Sequence, residues 1–282
     1  MSSIKDKKMF RVIINADDYG MNPNCTKAIT ECMLKGWVTN TSLMVNMPSC
    51  EEAVEQARKN GLMDKIGLHL NFTEGVPLTE RMRENREFCD ENGLFNWAFR
   101  SGGFRKLLRP LGTDDAKMLA EETEAQIKRY LDLGLPVRHF DSHHHSHLVY
   151  RIMPTVFEVA RKYGFKSVRR PVNVKVWTKL KSHIYYPINA WWKTVRMRPY
   201  GFAITDYMGA LADFRALYGT LRGGSTFDLM VHPMYMRAGI LDMSGEMSDS
   251  GLRPMRETAE FVDGHVGKTE IEKISYKEIQ SL

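Results

Sequence analysis

The sequence predicts an α/β fold, a distorted (β/α) barrel of the TIM type with long irregular insertions. Three observations predict it. Short apolar runs of strand length alternate with segments of helical periodicity. Ionisable clusters follow several separate apolar runs, which is where barrel enzymes carry their chemistry. The length, 282 residues, is ordinary for one such barrel, so a single domain over 1–282 is expected.

Phe10–Asn15 (FRVIIN) is an apolar run ending in a polar cluster and reads as a buried strand. Asn24–Lys35 has helical spacing, with Gly36 as its stop. Thr39–Val45 reads as a strand, Glu51–Lys59 as a helix and Ile66–Phe72 as a strand, so parallel strands with crossover helices follow. Residues 73–112 lose the period and read as an insertion or lid. Asp114–Leu133 is a helix with an acidic first turn and Gly134 beyond its end. Strand His139–Ser142, helix Met153–Tyr163 and strand Lys166–Arg170 follow. Residues 171–200 read as irregular. The alternation resumes with strand Phe202–Thr205, a helix over 209–222 and strand Phe227–His232. One or two helices and a short strand close the chain. An open doubly wound sheet is the alternative, and its crevice also lies at strand C-termini.

Composition narrows the function classes. Apolar residues at 43% allow a large core and argue against disorder. A net charge of +6 and a pI near 9.0 are mildly basic, but Lys and Arg are interleaved with Asp and Glu. The densest basic stretch, Lys175–Arg198, lacks any nucleic-acid motif, so no nucleic-acid partner is expected. No run approaches the ~20 apolar residues needed to span a bilayer, so no membrane partner is expected. Cys25, Cys32, Cys50 and Cys89 show no C-x-x-C spacing and read as free thiols of a reducing compartment. MSSIKDKKMF has no signal-type apolar core, and a cytoplasmic location is the expectation. A homodimer is the commonest prior for self-association.

Four polar groupings end apolar runs. The first is NADDYG, Asn15–Gly20. Adjacent carboxylates after a buried strand are costly unless a cation or donors compensate them. A regular strand would point Asp17 and Asp18 to opposite faces, whereas a turn near Gly20 lets both reach one pocket. A helix cap or Asx-turn is the bland alternative. The second is His69 in GLHLN, a ligand candidate by position although a lone strand histidine is more often structural. The third is HFDSHHHSH, His139–His147. Extended chain would put His139, Asp141, His143, His145 and His147 on one face, and helix would pair His143 with His147. Asp141 could orient an imidazole from behind. The fourth is Val231-His232-Pro233, where the proline stops the ladder and the histidine is an acid–base candidate. Together they suggest a carboxylate-plus-two-histidine metal site with separate acid and base groups. Such N/O ligands suit Zn²⁺, Mn²⁺, Fe²⁺ or, less typically, Mg²⁺. Arg169 or Arg170 could bind Asp17 or a substrate oxygen, and Trp97, Trp191, Trp192 or Tyr235 could pack on a sugar face.

At NADDYG, GLHLNFTEG, HFDSHHHSH and VHP, in this order and spacing, the chain resembles the YdjC family of carbohydrate deacetylases, which includes chitooligosaccharide deacetylases. The resemblance spans residues 11 to at least 233. It implies a distorted (β/α) barrel and one divalent metal, Mg²⁺ before Zn²⁺. It implies Asp18, His69 and His143 as ligands, Asp17 as general base and His232 as general acid. It implies a small acetylated sugar as substrate. Asn71, Asp141, His145, His147, Arg169 and Arg170 are expected around the ligands or the substrate. Segments 80–112 and 171–200 look individual to this chain and bear on its substrate. A metal-dependent glycoside or phospho-sugar hydrolase is the rival enzyme. It is disfavoured because two adjacent aspartates are poorly placed to flank a glycosidic bond. A non-catalytic metal- or sugar-binding protein would leave the paired aspartates and the remote His232 without a reason.

Overall fold

The computed structural model describes residues 10–97, 99, 109–174, 180–217, 220, 223–245, 252–265 and 271–280, with the backbone alone at 180–186, 217 and 245. Its main strands are β1 (Phe10–Tyr19), β2 (Asn40–Leu43), β3 (Ile66–Leu70), β4 (His139–Ser142), β5 (Ser167–Val168), β6 (Tyr207–Gly209) and β7 (Thr226–Val231). A hairpin of β8 (Pro233–Met236) and β9 (Gly239–Asp242) pairs with β10 (Arg253–Pro254) in a separate antiparallel sheet, and β11 (Ile271–Lys273) rejoins the first. The main sheet is parallel, in the order β5-β4-β3-β2-β1-β7-β6. The side of β1 that meets β2 from Asn15 onward meets β11 at Phe10–Val12.

The sheet curls. Arg169, just past edge strand β5, reaches carboxylates on β4, β1 and β7. On the open side, among the described residues, Ser167 bridges Ala203 alone, and the Asn173 N–H donates to the Met208 carbonyl at 3.3 Å. A single bridge where a strand pair would close the ring makes this a distorted, half-closed barrel.

Alternation along the strands sorts the two faces. Val12, Ile14 and Ala16 join the main apolar core, whereas Ile13 packs on Ile274, Tyr276 and Ile279 and shares its face with Asn15 and Asp17. Register carries that polar face across the sheet: Asn15 opposite Asn40, Ser42 opposite Gly67, His69 opposite Asp141, His139 opposite Ser167 and Ile13 opposite Asp228. The interior is therefore polar, closed at one end by the C-terminal helix Tyr276–Ile279. Outside, Phe140 meets Phe157, Phe165 and Phe202 edge-on at 5.3–5.7 Å. Truncating such a residue to Ala costs ~3–5 kcal/mol.

Helices cover the outer face where their apolar stripes require it. Pro23–Leu34 starts with Pro at its first position and with the Asn22 side chain accepting the Cys25 N–H at 3.0 Å. Cys50–Lys59, Thr113–Asp132 and Met153–Lys162 fall within a residue or two of their sequence-based bounds.

Three expectations are corrected. Within 171–200, Leu180–Met197 is a helix containing Pro187; the internal proline and the aromatic run hid its period. The strand expected at Phe202–Thr205 lies at Tyr207–Gly209, because the earlier segment makes only the Ala203 bridge. Pro233 does not end the chain's extended course but starts β8, since a first strand residue need not donate to a ladder. The expected helix over 209–222 is seen at Leu211–Leu217, and 218, 219, 221 and 222 lie outside the described residues. The described part of 73–112 is a packed wall: Met82, Phe88, Phe95 and Phe99 are buried, and the Phe88 and Phe99 rings stack at 5.2 Å. Of this expected insertion, 98 and 100–108 lie outside the described residues.

Candidate metal and catalytic centre

Asp17 and Asp18 do not sit in a turn, as the sequence suggests. They lie inside β1 at a bulge, where Ala16 pairs with Thr41 but Tyr19 already pairs with Leu43. Asp18 has φ 71°, a left-handed conformation rare for a residue with a Cβ. The extra residue aims both carboxylates into one pocket, which strict alternation forbids. Gly20 follows at φ 82°, and a Cβ there would lie 3.1 Å from the Cys50 backbone.

Three strand ends meet at Asp18. His69 Nε2 is 3.2 Å and His143 Nδ1 2.8 Å from Asp18 Oδ1. One donor atom from each of Asp18, His69 and His143 lies within 4.8 Å of the others. Asp18 Oδ1 and His69 Nε2 are buried yet make no hydrogen bond among the described residues, and such orphaned atoms are expensive unless something else satisfies them. Burial alone would raise the Asp18 carboxyl, but His143 and His69 hold it well below the usual carboxylate range. Burial disfavours protonated His69, yet Asp141 and Asp18 push it up to about 10; Asp18 and Glu74 likewise raise His143 to about 9. The pocket is thus strongly cation-attracting. A mixed N/O donor set with orphaned buried atoms fits a divalent cation.

Behind His69, Nδ1 meets Asp141 Oδ1 at 2.7 Å, while Ser42 donates to Asp141 Oδ2 at 3.0 Å. This carboxylate selects the tautomer that leaves Nε2 facing Asp18. Arg169, fully buried, contacts both oxygens of Asp17 at 2.5 and 2.8 Å, Asp141 at 3.0 Å and Asp228 at 2.8 Å. Burial disfavours its charge, but Asp17, Asp228 and Asp141 keep it protonated. Tyr276 donates to Asp228 from below.

Asp17 Oδ1 accepts from Asn15 Nδ2 at 2.7 Å and from Arg169, whereas Oδ2, among the described residues, accepts from Arg169 alone. Each oxygen can accept two bonds, so Oδ2 keeps one lone pair. His232 Nε2 lies 3.8 Å from that oxygen, and His232 Nδ1 meets Ser244 Oγ at 2.8 Å. Asp242 Oδ1 accepts the N–H groups of His232 and Ser244 and so pins the corner where β7 passes into β8.

The histidine run is neither strand nor regular helix beyond Ser142. His144 and His145 both have φ 53°, so the alternation expected for His139–His147 stops there. His143 and His145 line the pocket. Burial and the Arg169 charge push His145 well below the usual imidazole range. His147 is a scaffold residue: Nε2 donates to the Arg169 carbonyl at 3.1 Å, Nδ1 accepts from Ser142 Oγ, and burial lowers it to about 3. His139 stacks on Tyr276 at the closed end. Asn71 is buried outside the pocket and shapes the loop at Glu74. Arg170 does not reach Asp17; it donates to the Thr205 and Asp206 carbonyls. Trp97 lines the pocket, with its ring 4.2 Å from that of His144. Trp191 and Trp192 are exposed on the helix Leu180–Met197.

Sequence reading gave no role to Glu74, Asp228, Tyr276 or Ser244. Asp228 had a signal, a carboxylate inside the apolar run FDLMV, and Glu74 lies within GLHLNFTEG; Tyr276 and Ser244 stand in no such run or motif.

The fold is that of a half-closed parallel α/β barrel, and its strand ends carry an Asp/His/His constellation whose donor atoms could hold a metal ion. A family profile described as YdjC-like protein matches residues 11–266, and the chain belongs to that family. It is 41% identical to a carbohydrate deacetylase of Vibrio cholerae over 154 residues, 54% of this chain and 56% of that protein, so the match spans little more than half of these curated relatives. It is 27% identical to carbohydrate deacetylase 1 of Listeria innocua over 269 residues, 95% of this chain and all of that one. A crystal structure from Enterococcus faecalis, assigned provisionally to cellobiose-phosphate cleavage, superposes with a TM-score of 0.70 at 20% identity, covering 96% and 99% of the two chains. That likeness bears on the fold alone, and it agrees with the barrel expected from sequence.

Proposed function

We propose that this chain is a carbohydrate N-deacetylase that holds one divalent cation through Asp18, His69 and His143. One observation carries the reading: four remote segments bring an orphaned Asp/His/His set, a clamped carboxylate and a histidine into one pocket. The names of the relatives point to the same reaction class.

A cation bound there would make water more acidic and polarise the acetyl carbonyl. Asp17 is the general base, taking the water's proton on Oδ2. Arg169 orients it by donating to both of its oxygens. His232 is the general acid. The sugar amine leaves poorly unless protonated, and Nε2 faces the pocket while Ser244 orients the ring. Trp97 and the methionines Met230, Met234 and Met243 give the pocket an apolar wall for the acetyl group and one sugar face. The substrate is an acetylated amino sugar or a short chitooligosaccharide, and the net charge of +6 suits a phosphorylated one. Mg²⁺ is the first choice of metal and Zn²⁺ the second. The four buried free thiols agree with a reducing, cytoplasmic setting, and no described helix is long and apolar enough to cross a membrane. We propose neither a nucleic-acid nor a membrane partner; a homodimer is the default arrangement.

The test is acetate release from N-acetylglucosamine, its 6-phosphate and short chitooligosaccharides, with and without chelator. Chelator-sensitive acetate supports the reading; reducing sugar without acetate would favour a glycoside hydrolase and reject it.

A further inference from the structure

Each histidine at the cation site lies between Asp18 and a second carboxylate. For His69 the second is Asp141, 2.7 Å from Nδ1. For His143 it is Glu74, whose Oε1 is 3.5 Å from Nε2. His143 is buried, and its Nε2 has no hydrogen-bond partner among the described residues, so the Glu74 carboxylate is the acceptor within reach.

We infer that Glu74 is a positioning residue that accepts from His143 Nε2–H and thereby presents Nδ1 as the ligand atom. The inference rests on the cation reading above. It makes the two histidines ligate through different nitrogens, His69 through Nε2 and His143 through Nδ1, in keeping with which nitrogen of each ring faces Asp18 Oδ1.

The loop is built to hold that carboxylate. Asn71 Nδ2 donates to the Glu74 carbonyl at 2.7 Å, and Asn71 Oδ1 accepts the Thr73 and Glu74 N–H groups at 3.1 and 3.2 Å. Gln126 pins Asn71 in turn, accepting its N–H at 3.0 Å and donating to its carbonyl at 2.8 Å. Asn71 thus serves the site through Glu74. The Glu74 side chain is 38% exposed, so replacing it should leave the fold intact. Histidine ligands backed by a carboxylate bind metal roughly 10–100-fold more tightly than those without one.

The experiment uses the full chain, stripped with chelator, with Glu74→Ala and Glu74→Gln beside the unaltered protein. Zn²⁺ affinity and stoichiometry are read by competition with a chromophoric chelator, and ring N–H protons by NMR of the Co²⁺ form. Glu74→Ala should bind Zn²⁺ about 10–100-fold more weakly, Glu74→Gln less so, at one ion per chain and with metal-free melting unchanged. The Co²⁺ form should show Nδ1–H for His69 and Nε2–H for His143. Undiminished affinity in Glu74→Ala overturns this inference alone. Two ions falling to one on substitution also overturns it, by making Glu74 a ligand of a second cation with His143 and His144. Absence of Zn²⁺ binding by the unaltered protein overturns both this and the cation reading.

Discussion

The guanidinium of Arg169, fully buried, grips both oxygens of Asp17, at 2.5 and 2.8 Å, at the floor of the pocket. One cation serves three buried carboxylates, so the pocket keeps an excess of negative charge beside the candidate ligands.

Arg169→Met should destabilise the protein by about 3–5 kcal/mol, because it strands Asp17, Asp141 and Asp228 without their counter-ion. Urea denaturation measures it. A loss below ~1 kcal/mol would mean that these carboxylates have another partner. Arg169→Lys should keep more stability but lose activity, since an ammonium cannot hold both Asp17 oxygens.

Asp17→Asn should keep the bound metal and lose nearly all turnover. His232→Ala should slow an amide substrate more than an ester with a good leaving group, because only the amine needs a proton to depart. Equal losses on both substrates would remove His232 from the acid role, and unchanged activity in Asp17→Asn would remove Asp17 from the base role.

Asp18→Gly and Asp18→Ala should both abolish metal binding but differ in stability. Glycine adopts φ 71° freely, whereas alanine keeps the strain, so the glycine variant should be the more stable by about 1 kcal/mol in chelator. Equal stabilities would show that the bulge relaxes when the carboxylate is removed.

Acid should destabilise the chain through His147. Burial lowers its folded value to about 3, so between that and the ordinary value near 6.5 the unfolded chain binds a proton that the folded one refuses. Stability from this group is complete above pH 6.5 and falls as pH drops toward 3, by up to about 1.4 kcal/mol per pH unit. Denaturation midpoints at pH 7.5, 6 and 5 should fall, and His147→Gln should flatten the trend. A parallel pH trend in that variant would assign the acid sensitivity elsewhere.

Local chemistry determined much of this from the sequence by itself. Outside 73–112, period and stop signals located the strands and helices up to β5 to within a few residues, because apolar spacing and residues such as Gly36 and Gly134 act within a few positions of where they sit. The four polar groupings could be named as candidates because charge at the end of an apolar run has to be compensated. Tertiary structure decided what lies beyond that range. Alternation could not foresee the Asp18 bulge or the left-handed pair at His144 and His145, since both are local strain that only surrounding packing sustains. Nor could it choose Arg169 over Arg170: adjacent residues point to opposite sides, and only the curl of the sheet decides which side holds Asp17, Asp141 and Asp228.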